Sequence, residues 1–167
     1  VSSLAAANDI ADINRLRVGT RLVIPEEQAV QATASPREKL SSRYGGYWKL
    51  PIKGVFTSGY GPRGNEFHHG LDIAAEEGDK IFPVRGGIVE FSGWLNYIYG
   101  NAVIVDHGNG IKSLYAHNSE NLVEEGDKVG TSTALARIGS SGRTTGPHLH
   151  LEIRVDGQTV DPKQFLK

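Results

Sequence analysis

The sequence contains no cysteine and no methionine. Because the chain begins at Val1 and has no internal methionine, we expect it to be a processed or trimmed product. Without cysteine there are no disulfides and no thiolate ligands. Histidine, aspartate and glutamate are therefore the only side chains available as strong ligands for a transition metal.

Net charge and long apolar runs are also lacking. The 18 basic and 19 acidic residues leave a formal charge of −1, which creates no long-range field to attract nucleic acid or anionic lipid. No apolar run approaches the roughly 18–20 residues that span a bilayer. The sequence therefore predicts no nucleic-acid binding, no membrane span in this portion and a neutral or mixed-charge partner. A monomer is the default expectation.

Glycine is abundant, at 21 of 167 residues, against a usual share of about 7%. From residue 47 onward, short runs rich in Val, Ile and Tyr lie between turn-forming residues, a pattern typical of strands: IFPVRGGIVEFSG, NAVIVDH, IKSLYAH, KVGTSTALARIG and HLHLEIRV. Asn109-Gly110 is predicted to join two of them as a tight hairpin, which would place His117 at the far end of its strand. The sequence predicts an all-β domain over residues 47–167.

The amino-terminal part has a different composition. Residues 1–25 combine helix formers, in SSLAAANDI, with a short strand-like run, RLRVGTRLVIP. Residues 26–46 are polar, rich in Ala and Ser, and interrupted by Pro36 and by Gly45-Gly46, so we interpret them as a linker. The prediction is a short α+β segment at 1–25, a linker at 26–46 and the β domain at 47–167.

Five of the six histidines fall in three short clusters, HHGLD at 68–72, LYAH at 114–117 and GPHLH at 146–150. Side chains alternate along a strand, so His148 and His150 share one face at a separation of roughly 6–7 Å. If HHGLD is extended, the same rule places His68 on one face with Asp72. One metal ion or one substrate would then contact both members of such a pair.

The other residues near these clusters favour structural roles. His69 points away from Asp72 under strand alternation, which indicates a structural or supporting contact. His107 lies beside the hairpin, as is typical of a turn or edge residue. Gly70, between the members of the first cluster, allows a close approach of the backbone.

Three protein ligands plus a water-filled open position characterise a catalytic zinc site. A His-Asp pair and one further histidine supply three ligands without thiolates, and a nearby imidazole can take the proton of the water or stabilise an oxyanion. Spacing alone leaves open whether His148 or His150 is the ligand, and whether His68 and Asp72 are only a surface hydrogen-bonded pair. The pattern fits hydrolysis of a peptide or ester carbonyl.

The motifs HHGLDIA, LYAH and SSGRTTGPHLHLEI, in this order and at these intervals, resemble those of the lysostaphin-type, or LytM-domain, zinc metalloendopeptidases of bacterial cell walls. Supporting motifs resemble the same family: SGYGPR, GDKIFPVRGGIVEFSG, YGNAVIVDHGNG and EEGDKVG. The resemblance covers roughly residues 48–167. It implies an antiparallel β-sandwich or barrel-like core with a groove across it.

The resemblance also implies roles for five residues. His68, Asp72 and His150 correspond to the family's zinc ligands. His117 and His148 correspond to its two catalytic histidines, which activate water and stabilise the tetrahedral intermediate. It further implies one zinc ion as cofactor, the peptide portion of peptidoglycan as substrate, and an extracytoplasmic location in the cell envelope.

Three further parts of the sequence have predicted roles, two of them with an alternative. Arg63, just before the first implied ligand, is predicted to reach a substrate carboxylate or carbonyl, the alternative being an arginine that closes a surface loop. The polar loop SSGRTTG at 140–146 either lines the groove or is an ordinary connection. The run LAAANDIADINRLRVGTRLVIP resembles the second half of a LysM module, a small glycan-binding repeat.

Three functions compete on this basis. The leading hypothesis is a zinc endopeptidase that cuts stem or cross-link peptides of peptidoglycan. The second is a non-catalytic LytM module that binds and regulates a cell-wall amidase, since the family includes members that have lost ligands. The third is a metal- or glycan-binding β-sandwich without hydrolysis, which would not require His117. The complete set of five residues favours the enzyme.

Overall fold

The computed structural model describes Asn8 and residues 44–167, and residues 46–167 form one compact unit. The predicted LysM-like segment at 1–25, Asn8 apart, and most of the predicted linker at 26–46 lie outside the described residues. Among the described residues, no helix has the length and apolar character needed to cross a membrane.

The described residues form twelve strands and one short 3-10 helix at Pro162–Gln164. The strands are β1 (Val55–Ser58), β2 (Gly61–Arg63), β3 (Glu66–His68), β4 (Leu71–Ala74), β5 (Lys80–Ile81), β6 (Gly87–Asn96), β7 (Gly100–Gly108), β8 (Ile111–Asn121), β9 (Lys128–Val129), β10 (Ala136–Ile138), β11 (His148–Val155) and β12 (Gln158–Val160). Ten of them form one sheet, with β1-β4-β11-β8-β7-β6-β9 as its continuous path, and β2 pairs with β3 separately. All pairings between these strands are antiparallel, which confirms the predicted all-β antiparallel fold.

Strand β11 lies between β4 and β8 and shows how the sequence divides the two faces of the sheet. Its apolar side chains on one face are completely buried in the core: Leu149, Leu151 and Ile153. The residues between them point to the opposite face. That face carries His148 and His150, which share it as predicted and line a groove.

The hairpin between β7 and β8 confirms the turn predicted at Asn109-Gly110. Both residues adopt left-handed backbone conformations, with φ of 54° and 74°, as a tight two-residue hairpin turn requires. Strand β8 continues beyond His117 to Asn121, so the prediction that His117 ends its strand is wrong.

Two predicted strands are each divided. The run at 81–93 separates into β5 and β6, because Pro83 has no N–H to donate to a neighbouring strand. The run at 128–139 separates into β9 and β10 at a turn in which the Gly130 N–H donates to Thr133 Oγ1 at 3.1 Å. Residues 55–74 contribute four short strands that the sequence pattern did not indicate.

Trp48 joins the first and last residues of the unit. Its N–H donates to the Phe165 carbonyl at 2.8 Å, and its carbonyl accepts from the Lys167 N–H at 3.0 Å. The Trp48 and Phe165 rings lie 4.7 Å apart, and both side chains are buried. The beginning and the end of the unit are therefore fastened to each other.

Candidate metal centre

Three buried residues meet at one end of the β4–β11 pairing. His150 lies directly opposite Asp72 in the register of the two strands, and His68 ends the short strand that precedes β4. His68 Nε2 lies 3.1 Å from Asp72 Oδ1, His150 Nδ1 lies 2.8 Å from the same oxygen, and the two nitrogens are 3.2 Å apart. The structure thus brings together the three residues that the sequence resemblance predicts as zinc ligands.

The chain turns between His68 and Asp72 rather than continuing as one strand. Strand β3 ends at His68 and β4 begins at Leu71, so this turn, and not strand alternation, brings the two residues together. A Cβ added at Gly70 would lie 2.6 Å from the Leu151 carbonyl oxygen and 2.7 Å from Cε1 of His150. Gly70 therefore allows the close approach that the sequence predicted.

The outer ring nitrogens of the two histidines have acceptors as neighbours. His68 Nδ1 lies 2.7 Å from the Gly59 carbonyl oxygen, which only accepts, and 3.0 Å from Arg63 Nη2; the shorter contact to the carbonyl favours the hydrogen on Nδ1 and the lone pair on Nε2. His150 Nε2 lies 3.3 Å from the carboxylate oxygen Oε1 of Glu152. Each imidazole thus has its outer nitrogen beside an acceptor and its inner nitrogen, His68 Nε2 or His150 Nδ1, turned toward Asp72.

The geometry of these donors fits zinc. Bonds of about 2.0–2.1 Å to a tetrahedral zinc ion place its ligand atoms about 3.3 Å apart. The three separations here are 2.8, 3.1 and 3.2 Å, and the donors are two imidazole nitrogens and one carboxylate oxygen. His68, Asp72 and His150 would therefore hold the ion and leave its remaining position open to the groove.

Burial and mutual contacts shift the pKa values of the three groups. Burial lowers the pKa of His68. Burial disfavours the charged form of His150, but hydrogen bonds to Asp72 and Glu152 outweigh it and raise the pKa of His150. Burial also opposes ionisation of Asp72, yet hydrogen bonds from His150 and Arg63 lower the pKa of Asp72 far below its usual range. Asp72 is thus a carboxylate at neutral pH.

Two further histidines line the same groove with their rings 4.7 Å apart. His148 Nδ1 lies 2.8 Å from the Gly146 carbonyl oxygen, and His117 Nδ1 lies 2.8 Å from the Ser141 carbonyl oxygen. Since carbonyl oxygens only accept, both Nδ1 atoms carry hydrogen, and Nε2 is the nitrogen with the lone pair whenever either ring is neutral. His148 Nε2 lies 3.8 Å from Asp72 Oδ1, at the edge of the candidate metal centre.

His117 reaches the groove through a β-bulge. The register of β7 and β8 shifts between Asn101 and Ala102, and His117 is the extra residue on β8, with a φ of 67°. Unbroken alternation would place His117 on the core face together with Tyr115, which is completely buried. The bulge instead turns the ring into the groove. There burial lowers the pKa of His117 to about 4, so the ring is neutral and able to accept a proton at neutral pH.

The groove has a volume of about 280 Å³. It is lined by Arg63, His68, Asp72, Ile98, Tyr99, His117, Arg143, Thr144, Thr145, His148 and His150. The loop at 140–146 is therefore part of the groove wall, which was one of its two predicted interpretations. Arg143 also pairs with Glu66 on β3 at 3.3 Å and so connects this loop to the opposite segment.

Arg63 contacts the candidate metal centre. Its Nη2 donates to Asp72 Oδ2 at 2.7 Å and to the Ser58 hydroxyl, and the side chain is 44% exposed. Arg63 thus holds the carboxylate oxygen that is turned away from the two histidines. Its predicted contact with substrate stays a prediction.

The remaining histidines have the structural contacts expected of them. His69 Nδ1 lies 3.2 Å from Thr159 Oγ1, away from Asp72. His107 contacts the Gly86 carbonyl oxygen through Nδ1 and Ser113 Oγ through Nε2, at 3.0 and 2.7 Å. Both lie outside the groove lining.

Two residues that contact His150, Glu152 and Tyr99, were not predicted from the sequence. Hydrogen bonds from His150, Tyr99 and Arg154 overcome the effect of burial and lower the pKa of Glu152 to about 2. Burial, reinforced by the bond to Glu152, raises the pKa of Tyr99 to about 12. A signal for Glu152 was present, because it follows His150 by two residues on the same face of β11.

Comparison with known proteins agrees with this arrangement. The model of Peptidase family M23 matches residues 66–162, more than half of the chain. The chain belongs to peptidase family M23. The catalytic domain of the antimicrobial peptidase lysostaphin from Staphylococcus simulans superposes on it with a TM-score of 0.62 at 29% identity, over 67% of this chain and 91% of that domain.

Two curated relatives of this chain are named for different activities. The DD-carboxypeptidase/endopeptidase Mpg of Neisseria meningitidis is 43% identical over 95 residues, which are 57% of this chain and 22% of Mpg. The murein hydrolase activator NlpD of Salmonella typhimurium is 32% identical over 157 residues, which are 92% of this chain and 41% of NlpD. The chain therefore spans less than half the length of either relative.

Proposed function

We propose that this M23 chain is a zinc-dependent endopeptidase that hydrolyses cross-links or stem peptides of bacterial peptidoglycan. The observation that supports the proposal is the arrangement of five residues around one groove. Three of them fit a zinc ion, and two more line the same groove with Nδ1 bonded to a backbone carbonyl: His68, Asp72, His150, His117 and His148.

The ligand residues prepare the site electrostatically. Asp72 stays ionised because His150 and Arg63 hold its two oxygens, while His68 and His150 are oriented by acceptors behind their rings. A zinc ion bound there would polarise a scissile carbonyl and bring the pKa of water to about 7.

His117 and His148 divide the proton chemistry between them. Each ring is fixed by a backbone carbonyl at Nδ1, so Nε2 is the atom available for catalysis. One Nε2 takes the proton from the attacking water and then passes it to the leaving amine, while the other ring, in its protonated form, donates its Nε2–H to the oxyanion of the tetrahedral intermediate. Their rings lie 4.7 Å apart, close enough to act on the same bond.

The substrate class follows from the relatives. Mpg is named a DD-carboxypeptidase/endopeptidase, which describes peptide cleavage, and NlpD is named a murein hydrolase activator, which concerns murein. We propose peptidoglycan peptides as the substrate class of the present chain. We also propose that the chain is a monomer and acts outside the cytoplasm, in the cell envelope. Arg63, at the groove, is suited to a substrate carboxylate or carbonyl.

A second function is favoured by a specific similarity. NlpD, a murein hydrolase activator, aligns with 92% of this chain. A chain acting in that way would bind a cell-wall amidase and increase its activity without cleaving peptides itself. The complete set of ligands and catalytic histidines argues for the enzyme.

The experiment uses purified zinc-loaded chain and isolated peptidoglycan of several chemotypes, with and without a chelator. New amino termini, identified by mass spectrometry and absent both with chelator and in a His148→Ala variant, are expected. Such termini would also name the bond. Bound zinc without new termini, combined with faster release of peptides by an added amidase, would overturn the endopeptidase in favour of the activator.

A further inference from the structure

A buried carboxylate lies beyond the outer ring nitrogen of His150. Glu152 has no exposed surface, and its two oxygens have separate partners. Oε2 accepts two N–H groups of Arg154, at 2.9 and 2.6 Å. Oε1 accepts the Tyr99 hydroxyl at 2.6 Å and lies 3.3 Å from His150 Nε2.

The charge of Glu152 would be satisfied by Arg154 alone. A buried carboxylate is costly unless it is paired, and the two guanidinium bonds to Oε2 provide that pairing. The second oxygen, Oε1, is not needed for this ion pair. It lies between the Tyr99 hydroxyl and His150 Nε2, where it can act on the imidazole.

The two nitrogens of His150 compete for one hydrogen in the neutral ring. Nδ1 lies 2.8 Å from the carboxylate oxygen of Asp72, closer than Nε2 lies to Glu152 at 3.3 Å. Without an acceptor at Nε2, the hydrogen would reside on Nδ1 and donate to Asp72. It would then occupy the lone pair that a metal requires.

We propose that Glu152, held by Arg154 and Tyr99, is a positioning residue that keeps the hydrogen of neutral His150 on Nε2 and so leaves Nδ1 free to bind the metal. This inference rests on the proposed zinc-dependent function. Glu152 acts through His150 and does not itself touch the substrate.

Tyr99 connects this carboxylate to the catalytic side of the groove. Its hydroxyl donates to Glu152, while its carbonyl accepts from the His117 N–H at 2.9 Å. Replacement of Tyr99 by Phe removes the first contact and keeps the second. Tyr99→Phe is therefore a milder variant than Glu152→Gln, which removes the buried charge.

The first measurement is the zinc Kd at pH 7.5, by competition with a chelator, for the wild-type chain, Glu152→Gln and Tyr99→Phe. We expect a 10–100-fold weakening for Glu152→Gln, the range usual for residues that orient a metal-bound histidine, and a smaller weakening for Tyr99→Phe. Excess zinc should restore peptidoglycan cleavage. Glu90→Gln is the matched control, because Glu90 pairs with Lys112 at 2.5 Å away from the groove.

The second measurement is ¹⁵N NMR of the zinc-free chain, at a pH at which His150 is neutral. We expect hydrogen on Nε2 in the wild type and its transfer toward Nδ1 in Glu152→Gln. If Glu152→Gln does not fold, as judged by thermal melting, Tyr99→Phe gives the same comparison.

The outcomes separate this inference from the function on which it rests. Equal zinc Kd values for wild type, Glu152→Gln and Tyr99→Phe would overturn the positioning role and leave the endopeptidase intact. Hydrogen on Nδ1 in the zinc-free wild type would overturn it as well. Failure of the wild-type chain to bind zinc at all would instead overturn the proposed function, and this inference with it.

Discussion

Each histidine at the groove has one ring nitrogen bonded to a fixed acceptor and the other turned toward the reaction space. The acceptor is a backbone carbonyl for His68, His117 and His148, and a carboxylate for His150. The acceptor decides which nitrogen is available. The position of that nitrogen then decides whether the residue is suited to bind metal or to transfer protons.

This division predicts unequal effects of two alanine substitutions. His150→Ala removes one of three proposed ligands, so we expect bound zinc to be lost. His117→Ala leaves all three ligands in place, so we expect zinc to be retained while turnover falls about 10²–10⁴-fold, the usual contribution of a general acid or base. Metal analysis and cleavage rates of both variants provide the check. Full zinc occupancy in His150→Ala would contradict the assignment of His150 as a ligand.

The pKa directions predict how zinc affinity depends on pH. The pKa of His150 is raised above 6.5, so its protonation competes with zinc first as the pH falls. The pKa of His68 is lowered, so its proton competes only at lower pH, and Asp72 stays ionised throughout. Zinc affinity should be constant at high pH. As the pH falls, the logarithm of the affinity should first decrease with the uptake of one proton, by His150, and then with the uptake of two, by His150 and His68. An affinity that stays flat from about pH 8 to 5 would contradict the use of histidine ligands.

At the scale of elements, two local irregularities create the site. The turn at His69 and Gly70 brings His68 back onto Asp72, and the bulge at His117 moves one ring from the core face to the groove face. Regular strands would separate these side chains. The candidate site therefore depends on backbone features that are more sensitive to substitution than the strands around them.

Gly70→Ala tests the turn. The added methyl would lie within 2.8 Å of the His150 ring and 2.6 Å of the Leu151 carbonyl oxygen, so His150 must move. We expect weaker zinc binding and a stability loss of about 1–3 kcal/mol from overpacking. Gly130→Ala is the matched control, because nothing lies within 4 Å of a Cβ at Gly130. Chelator competition and thermal melting of both variants are the measurements, and equal behaviour of the two would show that the approach at Gly70 is not required.

Much of the arrangement of the groove histidines was predictable from the sequence. Strand alternation correctly placed His148 beside His150, and Asn109-Gly110 identified the central hairpin, because both signals are local. It paired His68 with Asp72 correctly, although a turn and not a continuous strand brings them together. The strand order was not predictable from local patterns, since it depends on contacts between residues distant in the chain.

Other parts of the site were missed for identifiable reasons. The bulge at His117 has no distinctive sequence pattern, because a left-handed conformation at a histidine is rare and is imposed by the neighbouring strands. In the sequence, Glu152 looks like an ordinary polar residue on the solvent face of a strand. Its importance becomes visible only when Tyr99, about fifty positions earlier in the chain, is found bonded to it at 2.6 Å.

At the scale of the whole molecule, residues 46–167 contain all the proposed ligands and catalytic histidines. We propose residues 47–167 as the catalytic domain, 26–46 as a linker and 1–25 as a LysM-like segment. The first residues of the catalytic domain are fixed by Trp48, which is 4% exposed. A shortened chain must therefore retain Trp48.

Removal of residues 1–43 tests this division. We expect the remaining chain to fold, and to bind zinc and cleave soluble cell-wall peptides as the full chain does, because the contacts of the groove lie within it. The same shortened chain with Trp48→Ala should lose about 3–5 kcal/mol of stability, as is usual for a large buried aromatic side chain. Urea denaturation and chelator competition are the measurements. Loss of zinc binding on removal of 1–43 alone would show that the proposed boundary is wrong.

The hydrogen bonds between Trp48 and residues Phe165 and Lys167 affect how this domain can be joined to another polypeptide. The polypeptide enters and leaves the β unit at neighbouring points, and domains with adjacent ends tolerate insertion into another protein and circular permutation. A host chain interrupted by this unit would have its two halves held close together. The unit can therefore be inserted into another protein through two adjacent ends.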